Sequence, residues 1–283
     1  MHHESFEVGV DGGRLGGTVV GRGAPVLVLH GGPGIDSTYL QPLVAELAAG
    51  YRVAVHQQRG LPPSTARAPY DVATQVADVL AVLDGLGWEK AVVAGHSWGG
   101  HLLLHLLAAH AERLVAALAI DMLGAVGDGG EAEFDVELYR RTPPRDLERV
   151  QHLERKAMAG AASEDELIES FRLLWPAYFA DPAAAPAFPG LESSAEAYAA
   201  TFESLHAELP GLAGRLAGVP VPTVLVHGAG SPIPVTSSTD TAAAIGSAAV
   251  IQVLGGAGHF PWVERPGALR GVLDRLVRRA GRA

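Results

Sequence analysis

Ser97 lies at the centre of residues 95–99, which have the pattern G-x-S-x-G. The apolar run 91–94 before it predicts a buried parallel strand, and residues 99–110 after it predict a helix. A serine on a sharp strand-to-helix turn presents its hydroxyl at the edge of a sheet, where flanking glycines avoid backbone collisions. A chance match remains an alternative in a chain with 35 glycines, but both flanks favour a nucleophilic serine.

Two further segments supply the groups that a nucleophilic serine needs. Residues 30–34 form a glycine-rich turn after an apolar run, and such a turn can bring a backbone N–H close to a developing oxyanion. His259 lies on a glycine-rich loop after the last predicted strand and can act as the base, since a free serine hydroxyl is a weak nucleophile. We predict the N–H groups of Gly32 and Trp98 as oxyanion donors, with an ordinary tight turn at residues 30–34 as the alternative.

These segments, in this order, resemble the α/β-hydrolase superfamily, and they look most like the capped serine hydrolases grouped with proline iminopeptidases and related esterases. The residues that carry the resemblance are 30–34 (HGGPG), 57–60 (QQRG) with Ser64, 95–100 (GHSWGG) and 258–266 (GHFPWVERP). The resemblance implies an α/β protein with the α/β-hydrolase fold: a mostly parallel eight-stranded sheet, helices on both faces, and an inserted helical cap. It says little about substrate, because this fold hosts many activities.

The acid of the expected triad is where the chain departs from the family pattern. In most relatives the acid follows the next-to-last strand in a stretch resembling G-x-x-D, and residues 228–232 (GAGSP) place Ser231 at that position. Asp121 directly follows the strand predicted over residues 114–120, and some members of the superfamily place their acid there. We therefore predict Asp121 as the acid, although an aspartate there could instead cap the next helix. Asp240 lies in a predicted helix and is expected to point elsewhere.

The pattern of elements changes in the middle of the chain. Strand and helix patterns alternate up to residue 120, which predicts parallel β-α-β units, and sheet patterns return near residue 223. The segment between them carries charged helical patterns and is far longer than an ordinary connection, though a plain crossover is the alternative. We predict a core of residues 1–124 and 212–283 and a helical cap of residues 125–211.

The predicted cap offers candidates for a substrate pocket. Trp175, Tyr178 and Phe179, with Trp98, could line an apolar pocket, and their alternative is ordinary packing. Any of the cap acids could hold a substrate amine, as an iminopeptidase requires, but a charged helix face is more often simply solvated. These acids include Glu131, Glu133, Asp135, Glu164 and Glu166.

The residue types argue against metals and cofactors. His101 and His105 have the i, i+4 spacing that suits a metal, but no acidic residue accompanies them, and zinc needs three or four converging ligands. The sequence has no Walker or dinucleotide-type glycine loop. It also has no cysteine, which excludes disulfides and thiol catalysis. We expect neither a metal nor a cofactor.

Charge and hydropathy restrict the partners. A net charge of −10 argues against nucleic acid and anionic membranes as partners. The first residues lack the apolar core of a signal peptide, and the apolar stretch 114–126 is too short to cross a bilayer. We expect a cytoplasmic enzyme that acts on a small molecule, with its oligomeric state left open.

Together these features predict a cofactor-independent serine hydrolase that cleaves an ester, lactone, thioester or small amide. Ser97 would attack the carbonyl, His259 would carry the proton, and Asp121 would orient His259. Two other classes stay open. One is a non-hydrolytic enzyme of this fold, such as an acyltransferase, cyclase or lyase. The other is a ligand-binding receptor with a vestigial triad, which the serine at position 231 keeps possible.

Overall fold

Short apolar runs of the kind that form strands buried on both faces make up the centre of the molecule. The computed structural model describes residues 3–282. Its strands are β1 (His3–Val10), β2 (Gly13–Gly21), β3 (Ala24–Leu29), β4 (Tyr51–His56), β5 (Ala91–His96), β6 (Leu114–Ile120), β7 (Thr223–Gly228) and β8 (Ala249–Leu254).

The strands form one eight-stranded sheet in the order β1-β2-β4-β3-β5-β6-β7-β8. β1 and β2 pair antiparallel, as do β2 and β4, and the remaining neighbours pair parallel. The parallel strands therefore direct their carboxyl ends to one edge of the sheet, where this kind of fold places its ligands. The predicted mostly parallel eight-stranded sheet is confirmed.

Helices cover both faces of the sheet. In chain order they are α1 (Gln41–Ala48), α2 (Val72–Gly85), α3 (Trp98–His110), α4 (Glu131–Arg141), α5 (Pro144–Met158), α6 (Glu164–Leu174), α7 (Ala195–Glu208), α8 (Leu212–Leu216), α9 (Val235–Ile245), α10 (Pro261–Glu264) and α11 (Ala268–Ala280). The last helix, α11, begins directly after Gly267, whose φ of 84° is outside the helical range.

Alternate side chains of each strand enter opposite cores, as the two-residue period of a strand requires. Leu27 and Leu29 of β3 pack with α2, α3, α8 and α9, whereas Val26 and Val28 pack with α1 and α11. The sheet is therefore covered on both sides, and its carboxyl edge is left for the segment that follows β6.

That segment, between β6 and β7, contains α4 to α8 and the irregular stretch after α6. Two small apolar clusters hold it together, one around Leu138 and Val150 and the other around Leu167 and Tyr198. A backbone bridge joins it to the core between Ile35 and Ser193. Within residues 3–282, none of the helices is both long and apolar enough to cross a membrane.

Candidate active site

Ser97 occupies the turn between β5 and α3 with φ 54° and ψ −124°, a left-handed conformation that is strained for a residue with a side chain. The glycines on either side make this turn possible. A Cβ on Gly95 would lie 2.1 Å from the carbonyl oxygen of Gly99, and a Cβ on Gly99 would lie 2.3 Å from the carbonyl oxygen of Leu29. Ser97 is only half-buried and lines a cavity at the carboxyl edge of the sheet. This strained, half-buried serine lies on the strand-to-helix turn that the sequence predicts.

The two predicted oxyanion donors lie beside this serine. Gly32 has φ 126° and lines the same cavity, and a Cβ on its neighbour Gly31 would lie 2.8 Å from Cβ of Ser97. Trp98 is the first residue of α3, so its N–H is among those that a helix leaves without an intrahelical partner. The structure therefore brings both residues to the cavity wall at Ser97.

Gln58, in the segment 57–60, links the two parts of the chain that carry these donors. Gln58 accepts a hydrogen bond on Oε1 from the indole N–H of Trp98 at 2.9 Å, and its Nε2 donates to the carbonyl of His30 at 2.8 Å. Burial lowers the pKa of His30 to about 4, so this histidine is neutral near pH 7. The loop ties the Trp98 side chain to the segment that carries Gly32.

His259 and Asp121 form a buried pair. Nδ1 of His259 lies 2.6 Å from Oδ2 of Asp121, and the aspartate is fully buried. Asp121 has φ 45°, a conformation uncommon for a residue other than glycine. Its Oδ1 accepts the backbone N–H of Gly228 at 2.9 Å. The carboxylate fixes which ring nitrogen of His259 carries the proton, and the other nitrogen is left free to act as a base.

Ser231, at the position where relatives usually have their acid, is a partner of Asp121. Its hydroxyl donates to Oδ2 of Asp121 at 2.6 Å and accepts the N–H of Ile233 at 3.0 Å. Asp240 is exposed on α9, away from this cluster. The position after β7 therefore supplies a hydrogen-bond donor to an acid carried by β6.

His227 is a residue that sequence reasoning missed. It is buried at the end of β7, with Nδ1 3.5 Å from Oδ1 of Asp121. Burial lowers the pKa of His227 below its ordinary value of 6.5, so it adds no positive charge beside the carboxylate near neutral pH. Its place at a strand end was the signal that could have singled it out.

A cavity of about 690 Å³ opens above Ser97 and His259. Its walls come from the core and from the segment between β6 and β7, including Trp175 and Tyr178. The Tyr178 ring lies 5.1 Å from the His259 ring, and its carbonyl accepts the N–H of His259 at 2.8 Å. Phe179 does not line the cavity. It is 1% exposed and packs edge-on against Trp175, so its prediction as a pocket residue is corrected.

Acidic side chains occupy part of this cavity. Glu131, Asp135 and Glu154 line it, whereas Glu133, Glu164 and Glu166 do not. Burial, together with Glu131, raises the pKa of Asp135 to about 6, and burial also raises the pKa of Glu154. Glu154 accepts one hydrogen bond, from Ser170 at 2.6 Å, and Glu131 contacts His206 at 2.7 Å.

His101 and His105 contact each other, with 3.3 Å between their Nε2 atoms. Burial lowers the pKa of His101 to about 4 and that of His105 to about 3, so both are neutral near pH 7. Nδ1 of His101 lies 3.2 Å from the carbonyl of Leu123. Among residues 3–282, no cluster of three or more histidine or acidic side chains could hold a metal ion.

Comparison with known proteins places this geometry in a family. A model described as the alpha/beta hydrolase family matches residues 26–272. The chain belongs to the alpha/beta hydrolase family. The resemblance found in the glycine-rich turns and the G-x-S-x-G segment is thereby confirmed.

The relatives within this family act on different bonds. Epoxide hydrolase A of Mycobacterium tuberculosis is 28% identical over 290 residues, which cover 89% of each chain. A proline iminopeptidase of Lactobacillus delbrueckii subsp. lactis is 34% identical over 114 residues, 38% of each chain. The enol-lactonase of Burkholderia xenovorans LB400 has a similar structure, with a TM-score of 0.66, 22% identity, and 96% of this chain and 99% of that chain covered. These names agree on hydrolysis and differ in substrate.

Proposed function

We propose that this alpha/beta hydrolase is a cofactor-independent serine hydrolase that cleaves a carboxylic ester, lactone, thioester or small amide of a small molecule. The observation that carries the proposal is the 2.6 Å contact between the fully buried Asp121 and His259, which lines the same cavity as Ser97. A buried acid–histidine pair beside a solvent-accessible serine is the arrangement that activates a hydroxyl nucleophile.

In the proposed reaction the Ser97 hydroxyl attacks the substrate carbonyl while Nε2 of His259 takes its proton. The imidazolium is stabilised by the Asp121 carboxylate, and the N–H groups of Gly32 and Trp98 bind the oxyanion. His259 then returns the proton to the leaving group, which departs and leaves an ester on Ser97. Water, deprotonated by the same histidine, hydrolyses this acyl-enzyme and restores the serine.

The nucleophile's chemistry favours a carbonyl substrate over an epoxide, although an epoxide hydrolase is among the relatives. A serine that opened an epoxide would form an alkyl ether, which water does not cleave under mild conditions. A serine that attacks a carbonyl forms an ester, which an activated water cleaves readily. Ser97 therefore fits acyl chemistry, and we expect no turnover of styrene oxide.

The walls of the cavity favour a substrate with an apolar acyl or leaving group. Trp175, Phe171 and Leu138 are among the side chains that line it, and the predicted cap, residues 125–211, contributes all three. We propose that this segment selects the substrate and shields the acyl-enzyme. The proposed chemistry requires no cofactor, because the protein's own groups carry every proton and charge.

The test is a panel of p-nitrophenyl esters from acetate to octanoate, assayed beside Ser97→Ala. We expect turnover by the wild type, a maximum at an intermediate chain length, and a loss of at least about 10³-fold in Ser97→Ala. Products analysed with and without an added alcohol separate hydrolysis from acyl transfer. A folded wild type that binds esters and turns none of them over would support the receptor alternative instead.

A second candidate, cleavage of a small amide with a free amino group, is favoured by Asp135 and Glu154. Both face the cavity, and neither carboxylate has a cationic partner among residues 3–282. A substrate ammonium group could supply that partner. Proline p-nitroanilide and its N-acetyl derivative, assayed with wild type and Glu154→Gln, test this: the candidate requires a preference for the free amine that Glu154→Gln abolishes.

A further inference from the structure

A chain of three buried hydrogen bonds links the segments that carry the proposed catalytic groups. The N–H of Gly31 donates to the hydroxyl of Tyr39 at 2.6 Å, and that hydroxyl lies 2.9 Å from Nδ1 of His96. Nε2 of His96 lies 2.9 Å from the carbonyl oxygen of His259. Gly31 precedes the proposed oxyanion donor and His96 precedes Ser97, so one chain reaches all three parts of the site.

The donor or acceptor character of the participating groups determines the direction of each hydrogen bond. A carbonyl oxygen only accepts, so Nε2 of His96 carries the proton that is donated to His259. Burial lowers the pKa of His96 well below its ordinary 6.5, so Nδ1 carries no proton and must accept from the Tyr39 hydroxyl. That hydroxyl in turn accepts the N–H of Gly31. Each donor in this series of hydrogen bonds therefore meets an acceptor, and removing either the Tyr39 hydroxyl or the His96 ring leaves two buried groups unpaired.

We propose that Tyr39 and His96 are positioning residues that hold the Gly31–Gly32 turn and the backbone of His259 in register with Ser97. This inference rests on the proposed function of Ser97 and His259, and it assigns two further residues to that reaction. Both side chains also line the cavity, but their polar atoms are engaged with protein groups, so each acts on the reaction through the segments it holds.

The surroundings of His259 show why the backbone contact matters. Its N–H is bound by the carbonyl of Tyr178 at 2.8 Å, and its C=O is bound by His96. The residue is thus held from the predicted cap on one side and from the core on the other. The His96 ring also lies 4.5 Å from the His259 ring and 4.7 Å from that of Trp262. A shift of His96 would therefore move the base relative to the nucleophile.

Packing alone does not require a hydrogen-bonding side chain at position 39. Phenylalanine would fill the space of the Tyr39 ring, which already lies 5.9 Å from the Phe260 ring and 6.2 Å from that of Trp262. Tyr39→Phe removes one oxygen atom and keeps this packing. It leaves the N–H of Gly31 and Nδ1 of His96 without partners, which releases the turn that carries Gly32.

The kinetic test compares Tyr39→Phe with wild type on p-nitrophenyl butyrate. We expect kcat to fall about 10- to 100-fold, because small misplacements of catalytic groups cost this much, while KM changes less than about threefold. A trifluoromethyl ketone forms a tetrahedral adduct on an active serine and fills the oxyanion site. Its affinity should fall in parallel with kcat/KM, whereas that of the matching methyl ketone should stay within about twofold.

Tyr51→Phe is the matched control. The Tyr51 hydroxyl is also engaged in a hydrogen bond, donating to Oδ1 of Asp274 at 2.7 Å, and the side chain is also buried. Tyr51 begins β4, at the edge of the sheet opposite to the one where Ser97 lies. The variant should therefore lose a similar amount of stability and keep wild-type kcat and KM. His96→Phe should lower kcat as Tyr39→Phe does. The fold-loss in kcat of the double variant should be smaller than the product of the two single-variant fold-losses.

A second readout does not depend on turnover. Hydrogen–deuterium exchange of peptides covering residues 30–36 and 257–263 should be faster in Tyr39→Phe than in wild type and unchanged in Tyr51→Phe. It decides the inference even if the wild type proves inactive on every ester. Unchanged exchange in both peptides would overturn the proposal. In an active enzyme, kcat and trifluoromethyl ketone affinity within twofold of wild type would also overturn it, as would an equal loss in Tyr51→Phe.

Discussion

Replacing Asp121 with asparagine is the perturbation whose effect the structure determines most closely. The two carboxylate oxygens have different neighbours: Oδ1 accepts the N–H of Gly228 at 2.9 Å, whereas Oδ2 accepts from the Ser231 hydroxyl and faces Nδ1 of His259, both at 2.6 Å. An asparagine amide has one acceptor and one donor end. Because the Gly228 N–H is a backbone donor that cannot be reversed, the amide oxygen must turn towards it, and the NH₂ group then faces His259.

That orientation changes which ring nitrogen of His259 carries the proton. Nδ1 of His259 would have to accept from the amide, so the ring proton moves to Nε2, the nitrogen that must take the proton of Ser97. The base is thereby blocked, and the imidazolium also loses its counter-charge. The same exchange in a serine protease triad lowers kcat about 10⁴-fold, and we expect a loss of this order, equivalent to about 5.5 kcal/mol of barrier.

The assay is kcat for p-nitrophenyl butyrate, with the melting temperature measured on the same samples. Asp121→Asn should fold, because the side chain keeps its shape and Ser231 can accept from the new NH₂ group at the present 2.6 Å position. Asp240→Asn is the matched control, since Asp240 is exposed on α9, and it should keep wild-type activity. If Asp121→Asn folds and retains more than about a tenth of the wild-type turnover, the acid lies elsewhere or Ser97 and His259 act as a pair.

Three further predictions follow from single positions. In the Asp121→Asn background, Ser231→Asp should restore kcat at least about tenfold, because the Ser231 oxygen already lies 2.6 Å from Oδ2 of Asp121. No recovery would show that a carboxylate after β7 cannot orient His259. Gly99→Ala should lose at least about 2 kcal/mol of unfolding free energy in urea, because its Cβ would lie 2.3 Å from a backbone oxygen, whereas Gly214→Ala, with open space around it, should lose nothing. Burial and Glu131 raise the pKa of Asp135 to about 6, so the folded protein binds the Asp135 proton more tightly than the unfolded chain does. The free energy of unfolding therefore falls as pH rises from about 4 through 6. Asp135→Asn should therefore be more stable than wild type at pH 7.5, by about 1 kcal/mol after allowance for partial exposure, and equal to it at pH 4; an equal gain at both pH values would contradict this origin.

Much of the fold was predictable because its signals are local. The apolar runs that form β3, β5 and β7 and the glycines around Ser97 each report on a few neighbouring residues, and each element lies within a few residues of its expected position. The candidate acid could also be approached from sequence, because Asp121 ends a recognisable strand. Its partner Ser231 is 110 residues away, and no local pattern shows that the two side chains meet.

The parts that sequence missed depend on tertiary packing. Phe179 and Tyr178 are adjacent aromatic residues in one irregular stretch, yet one is fully buried against Trp175 and the other lines the cavity. Residue type does not distinguish these environments. The contact between Tyr39 and His96 likewise joins two elements that are 57 residues apart. Such contacts arise only once the sheet brings the strand ends to one edge.

The central claim is that Ser97 is a nucleophile activated by His259, and covalent labelling tests it most directly. A fluorophosphonate probe should add once to the folded wild type and to Ser247→Ala, whose serine is exposed and remote from β5. Intact mass followed by peptide mapping should locate the adduct on Ser97, and Ser97→Ala should stay unlabelled. Folded wild-type protein that remains unlabelled, or an adduct that persists in Ser97→Ala, would contradict the account.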